Sequence, residues 1–357
     1  MADDSYPNGE LCHEESPAPL APSAQKFCPR RYSPSSQALE GRVILSNILL
    51  QILQVLCVLL LAPLLQGFIL KVEERVQRSR GPSLFQPYRD LWKFFHKESV
   101  APESASWIYF TAPIVAFTAM LTVPILIPVL TDRPLPLSDM GDMLGGGMIL
   151  TLGSFAIILA GLDTGNVYGG IGSSRAVMLA ILAEPTLILV LVGISLLAKA
   201  MLPFAVNHLL LGSLSIYWSP AHLFLILAFL SLLLVETDRL PVHSSTHLEI
   251  YMIDEARILE YSGPLLALLK WASMMKQAIL YTIFCNVFLL PWGMSQVGTP
   301  LGELGSLASL TIKFLLVALT VVVVETVQSR LRFYRYQEPL AAGFLFAVLA
   351  IVSSQLL

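Results

Sequence analysis

Residues 236–263 read ETDRLPVHSSTHLEIYMIDEARILEYSG. The flanks are almost wholly apolar, yet this stretch carries six carboxylates: Glu236, Asp238, Glu249, Asp254, Glu255 and Glu260. A Pro-Val turn opens it, and Ser244, Ser245 and Thr246 offer N-caps for a helix running to about Tyr261. At 100° per residue, Glu249, Ile253, Ala256 and Glu260 share one face, with the two carboxylates about 16 Å apart along the axis. His247, Tyr251 and Glu255 line another face, and Asp254 and Arg257 stand at i, i+3. So dense an acidic helix between apolar runs is more than a connector.

The rest of the chain says what those runs are. Of 357 residues, 55% are hydrophobic and 13% charged, and the mean hydropathy is +0.70. A soluble domain has about 25% charged residues, so the composition predicts a polytopic membrane protein. The net charge of -3 decides nothing. The four cysteines (Cys12, Cys28, Cys57, Cys285) form no CxxC pair, which leaves no cluster or zinc motif. Cys57 and Cys285 lie in apolar runs and read as packing residues.

The fold class that follows is all-α, with about eight transmembrane helices, an interfacial amphipathic helix and an acidic loop helix. The spans fall at about 43–70, 107–130, 143–162, 176–197, 222–235, 265–290, 304–326 and 340–357. The fifth extends upstream through the apolar stretch from Leu209. Gln51 and Gln54 interrupt the first and should face protein rather than lipid. Between the first two, Leu84, Tyr88, Leu91, Trp92 and Phe95 recur at helical spacing, with Arg89, Lys93 and Lys97 on another side; this is the interfacial helix. The glycines of 165–172 predict a tight turn and close helix approach. No strand precedes them, so they are not a phosphate loop. Residues 1–41, polar and without periodicity, read as a disordered tail before a domain over 42–357.

Basic residues set the orientation. Loops 71–105, 163–175, 236–263 and 327–338 hold thirteen Lys and Arg, and loops 131–142, 198–221 and 291–303 hold two; the segment through Arg42 adds four. The first set is expected on the cytoplasmic side of the cell membrane, the acidic loop with it, and both termini outside.

Ionisable groups at membrane depth are costly and mark function. Glu184, eight residues into the fourth span and roughly 12 Å deep, is the sharpest: a proton-relay carboxyl, or one satisfied by a neighbouring helix. Lys276 and Lys313 are counter-ions or relay members, and Lys270 can snorkel. Asp163 and Arg175 flank the glycine turn and suggest an ion pair. His208 and His222, near span ends, read as interfacial. His243 and His247 lack a third ligand, so no metal site is expected. No nucleophile–base pair, cofactor motif or nucleic-acid surface is legible.

Several stretches together carry a resemblance: THLE at 246–249, EARILEYSG at 255–263, LKWA at 269–272 and NVFLLPWG at 286–293. To these add GPSLFQPYRDLWKFFHKE at 81–98, GLDTGNVYGGIGSSRAVMLAILAEP at 161–185 and SRLRFYRYQEPL at 329–340. From about residue 42 onward the chain resembles the complex I subunit 1 family, in the wording of the branch found in membrane-bound nickel-iron hydrogenases of the formate hydrogenlyase and hydrogenase 4 type. The resemblance implies a subunit with no cofactor of its own. Its partners would be a nickel-iron large subunit, iron–sulfur subunits, antiporter-like membrane subunits and lipid. Arg89, Asp90, Lys93, Lys97, Asp238, Arg239 and His247 would dock the peripheral arm. Glu184, Glu236, Glu249, Glu255 and Glu260, with Lys276 and Lys313, would relay protons. Two alternatives stay open: the quinone-binding subunit of complex I, although His243 stands where an Asp is typical there, and a passive anchor that moves no ion. A stand-alone transporter is disfavoured by the lack of internal repeats.

Overall fold

The computed structural model describes residues 34–76, 78, 81–132, 135–138, 141–212, 214–237, 256–289, 291–294, 300–327 and 337–356. The chain divides into two units, Met1–Val43 and Ile44–Leu357. Of the expected tail, residues 1–33 lie outside the described residues.

The described residues are helical throughout their regular parts, as an all-α membrane fold requires: in lipid, each backbone group must be satisfied within its own segment. Helix α1 runs Pro34–Val76, α2 Gln86–Phe95, α3 Trp107–Leu126, α4 Met143–Asp163 and α5 Val167–Ala198. Then follow α6 (Pro203–Gly212), α7 (Leu214–Tyr217), α8 (Pro220–Glu236), α9 (Gly263–Ile283), α10 (Pro300–Val327) and α11 (Gln337–Leu356). Helix α9 continues as a π-helical turn, Phe284–Leu289. Among the described residues seven helices are long and apolar enough to cross a membrane, and α8, at 17 residues, is a shorter apolar eighth. The chain is a multi-pass membrane protein. Within the second unit α8 packs on α11, α3 on α4 and α9, and α5 on α4, α8 and α11.

Helix starts follow from side-chain caps. Ser106 accepts from Ile108 N at α3, Asn166 from Tyr168 N at α5, and Ser219 from His222 N at α8. Proline breaks explain the amides of α1. Pro128, just past the end of α3, has no N–H for the Pro124 carbonyl, and the helix stops before the carbonyls of Ile125 and Ile127 find partners in it. Gln54 Nε2 donates to Pro124 O at 2.5 Å and to Ile127 O at 2.9 Å, and Gln51 Nε2 donates to Ile125 O at 3.3 Å. Both glutamines are buried, on the protein side of α1.

Helix α2 is amphipathic, starts with proline in its first turn, and buries Pro87 and Leu91. It packs on α9, where Phe95 meets Trp271 edge-on at 6.1 Å. Tyr88 donates its hydroxyl to the Leu60 carbonyl of α1. Trp92, Arg89, Lys93 and Lys97 are exposed.

Four expectations are corrected. Helix α5 begins at Val167, so Gly169, Gly170 and Gly172 lie inside it and the turn shrinks to Thr164–Asn166, with Gly165 at φ +66°. The helical glycines serve close packing: a Cβ on Gly169 would stand 2.6 Å from the Gly161 carbonyl of α4. In consequence Glu184 sits seventeen residues into a 32-residue helix instead of eight residues into a shorter one, and is deep in the span as expected. The apolar stretch from Leu209 belongs to separate short helices, not to the fifth span. His222 is fully buried, with Nδ1 2.9 Å from Tyr217 O, because α7 and the turn before α8 fold over that end of the span.

A polar cavity at the foot of the acidic loop

Three of the ionisable groups singled out in the sequence meet in one place. Glu236 is the last residue of α8, Lys276 stands thirteen residues into α9, and Glu184 occupies the middle of α5. All three line a cavity of about 70 Å³ with Ser154 and Thr151 of α4 and Arg257. That volume holds a few water molecules. Lys276 Nζ lies 2.5 Å from Glu236 Oε2 and donates to Ser154 Oγ at 2.9 Å. Glu184 is close enough for both Glu236 and Lys276 to act on its charge. The cavity therefore holds two carboxylates and two cations beside small hydroxyls, within a layer whose other walls are Leu, Ile, Val and Ala.

The far end of the acidic loop is pinned next to it. Tyr261 stacks on Tyr109 of α3 with ring centres 4.2 Å apart, and its hydroxyl donates to Tyr109 O at 3.1 Å. Tyr109 in turn donates to Glu260 O at 3.0 Å, and Asn166 Nδ2 to Glu260 Oε1. Burial first, then the neighbouring Tyr109 and Asp163, push the Tyr261 phenol well above its ordinary range. Ser262 Oγ accepts from Val100 N at 2.8 Å. Gly161 lets α4 pass directly under this segment: a Cβ there would lie 3.1 Å from Arg257 O and 3.2 Å from its Cα. Asp163, expected beside Arg175, accepts from Ser106 N and Tyr109 N at 3.0 Å each and from Ser106 Oγ at 2.5 Å, so it fixes the start of α3.

The other candidates scatter. Glu260 faces Asn166 rather than the cavity. Lys313 lies elsewhere, its Nζ donating to Asn286 Oδ1 at 2.9 Å. Asp90 accepts from Gln86 Nε2 at 3.0 Å and stands 3.8 Å from Lys93 Nζ, on the exposed side of α2. Asp238, Arg239, His247, Glu249 and Glu255, and with them most of the acidic loop helix, lie outside the described residues. Ser154, Asn166 and Asn286 were missed, because one hydroxyl or amide in an apolar run carries no signal of its own. Arg257 was noticed only as a neighbour of Asp254.

The family profile described as NADH dehydrogenase matches residues 49–354, nearly the whole of the second unit and all the elements of the cavity. The chain belongs to the NADH dehydrogenase family. Within that family it is 30% identical to formate hydrogenlyase subunit 4 of Escherichia coli, over 86% of this chain and 98% of the relative. It is 32% identical to hydrogenase-4 component C of the same organism, over 84% and 93%. NADH-ubiquinone oxidoreductase chain 1 of Emballonura alecto is 29% identical over 86% and 94%. A chain of the membrane-bound sulfane sulfur reductase, an archaeal respiratory membrane complex, shares the fold at a TM-score of 0.66 and 21% identity, with 85% of this chain and 99% of that one covered. Like these NADH dehydrogenase family members, the chain is a membrane subunit of an oxidoreductase complex.

Proposed function

We propose that this chain is the membrane subunit of a hydrogenase of the formate hydrogenlyase or hydrogenase 4 type. It docks the peripheral electron-transfer arm and couples redox chemistry to proton movement across the cell membrane. The observation that carries the coupling is that the Glu236–Lys276 pair and Glu184 line one cavity, with room for a few waters, at the root of the acidic loop. A carboxylate that loses a cationic neighbour takes up a proton, and one that regains it lets the proton go. In the proposed cycle a redox event in the docked arm shifts the loop, separates Glu236 from Lys276, and so loads and unloads the Glu236–Glu184 site. The loop lies on the cytoplasmic side, with nickel-iron, iron–sulfur and antiporter-like subunits as neighbours. The basic face of α2 and the loop residues Asp238, Arg239 and His247 contribute to docking, and Glu249, Glu255 and Glu260 conduct between the loop surface and the cavity.

The test is Glu184→Gln, which keeps the shape and removes the exchangeable charge. The assembled complex should still turn over artificial electron donors or acceptors, while proton movement in sealed vesicles falls sharply. Full translocation in this variant would leave the passive-anchor reading in its place.

A further inference from the structure

Beyond Lys276, α9 carries a line of buried polar side chains that the cavity does not use. Gln277 and Tyr281 are one turn apart, and Gln277 Nε2 donates to Tyr281 Oη at 3.2 Å. One turn further the helix widens into its π-helical stretch, Phe284–Leu289. Such widenings recur at functional sites. This one lets Asn286 face α10 and the broken end of α3 together: Nδ2 donates to Pro128 O at 2.9 Å and Val129 O at 3.1 Å, and Oδ1 accepts from Lys313 Nζ.

Lys313 is 6% exposed and lies thirteen residues into α10, about 20 Å from that helix's first residue. Among the described residues it has no carboxylate partner; its bonded neighbour is a neutral amide. Helix α9 and its π-helical turn pack against α10, and the titratable group they bring to Lys313 is Cys285, whose Sγ donates to Lys313 O at 3.8 Å. An ammonium offers three N–H donors, and Asn286 accepts one. A buried ammonium is costly without a counter-ion, and Lys313 lacks the carboxylate that Glu236 sets beside Lys276.

We infer that Lys313 is a second protonation site, deep in the membrane between the Glu236–Lys276 cavity and the side opposite the acidic loop, linked to that cavity along the Gln277–Tyr281 face of α9. This rests on the relay reading given above. The ammonium of Lys313 releases a proton toward the opposite side and becomes a neutral amine. The amine regains one from the cavity through water and the Tyr281 hydroxyl, which accepts a proton and passes on its own. Gln277 and Asn286 are positioning residues: one orients the phenol, the other holds the amine. Lys276 to Asn286 spans ten residues, roughly 15 Å of helix, so two or three waters complete the path.

The experiment compares Lys313→Arg and Lys313→Gln with Glu184→Gln in the assembled complex in sealed vesicles. Arginine keeps the charge and cannot give up its proton. Glutamine keeps a hydrogen bond to Asn286 and carries no charge. Both Lys313 variants are expected to assemble, to turn over artificial electron carriers, and to lose proton translocation by about tenfold or more. Normal translocation in Lys313→Arg would make the residue a fixed structural cation, and normal translocation in Lys313→Gln would make it dispensable; either overturns the inference. If neither variant assembles, Tyr281→Phe decides: a loss of translocation supports the path, and wild-type translocation removes it. Normal translocation in Glu184→Gln would instead strike the underlying relay reading, whatever the Lys313 variants do.

Discussion

Lys276 Nζ stands 2.5 Å from Glu236 Oε2, which ties the start of the acidic loop to the middle of α9. The two side chains are only 18% and 15% exposed. Removing one member of such a buried pair leaves the other charge uncompensated and costs about 3–5 kcal/mol, whereas removing both costs far less. Lys276→Met should therefore lower the melting temperature of the purified complex more than the double variant Lys276→Met with Glu236→Gln. Proton translocation should be lost in both. A double variant as unstable as the single one would mean that Ser154 and packing, not the ion pair, hold this corner.

Docking is tested on α2. Arg89 and Lys93 on its exposed side, and Lys97 just past its end, would each contribute about 1 kcal/mol if they bind an acidic surface or anionic lipid. Replacing all three by Glu should release the peripheral subunits into the soluble fraction at moderate salt. Should the complex hold together unchanged, the helix anchors to lipid alone.

Asp132, after the end of α3, gives a pH dependence. It is buried, accepts from Asn207 Nδ2 at 3.2 Å, and burial raises its pKa, partly offset by His208. A carboxyl with a raised folded-state pKa favours the fold fully below its unfolded value of about 3.9, and that stabilisation is lost as pH rises through the folded value. Thermal stability in detergent should thus decline as pH climbs from about 4 through the weakly acidic range. Asp132→Asn should flatten that slope and match the low-pH wild type at neutral pH. An unchanged slope would assign the titration to another group.

Orientation is read with one added cysteine in a chain lacking Cys12 and Cys28, whose remaining Cys57 and Cys285 are buried. Ser83→Cys, ahead of α2, should be labelled by an impermeant thiol reagent only from the cytoplasmic side. Leu137→Cys, in the exposed part of loop 131–142, should be labelled only from outside. The reverse pattern would place the acidic loop away from its proposed partners.

How much of this could be read from the sequence depended on whether a residue was odd in its surroundings. Glu184, Lys276 and Lys313 stood out because a charge in an apolar run has few innocent explanations. That Lys276 pairs with Glu236 while Lys313 turns to Asn286 was not legible, since both choices depend on how α8, α9 and α10 rotate against one another. Gln51 and Gln54 were read correctly as inward-facing, but their partners are carbonyls left free where α3 ends before Pro128, about seventy residues away. The 165–172 glycines make the close helix contact expected of them, but a turn and such a contact use the same residue, so the start of α5 at Val167 was not legible. His222 was misplaced because distance from a span end says nothing about what covers that end.

The stacked pair Tyr109–Tyr261 has a mechanical consequence. It clamps the loop's exit to α3, while the loop's entrance is Glu236 itself, whose hold on Lys276 is a single ionic contact. In the proposed cycle a partner seated on the loop would not need to reach into the membrane to be felt there: parting Glu236 from Lys276 would be the whole of the local event.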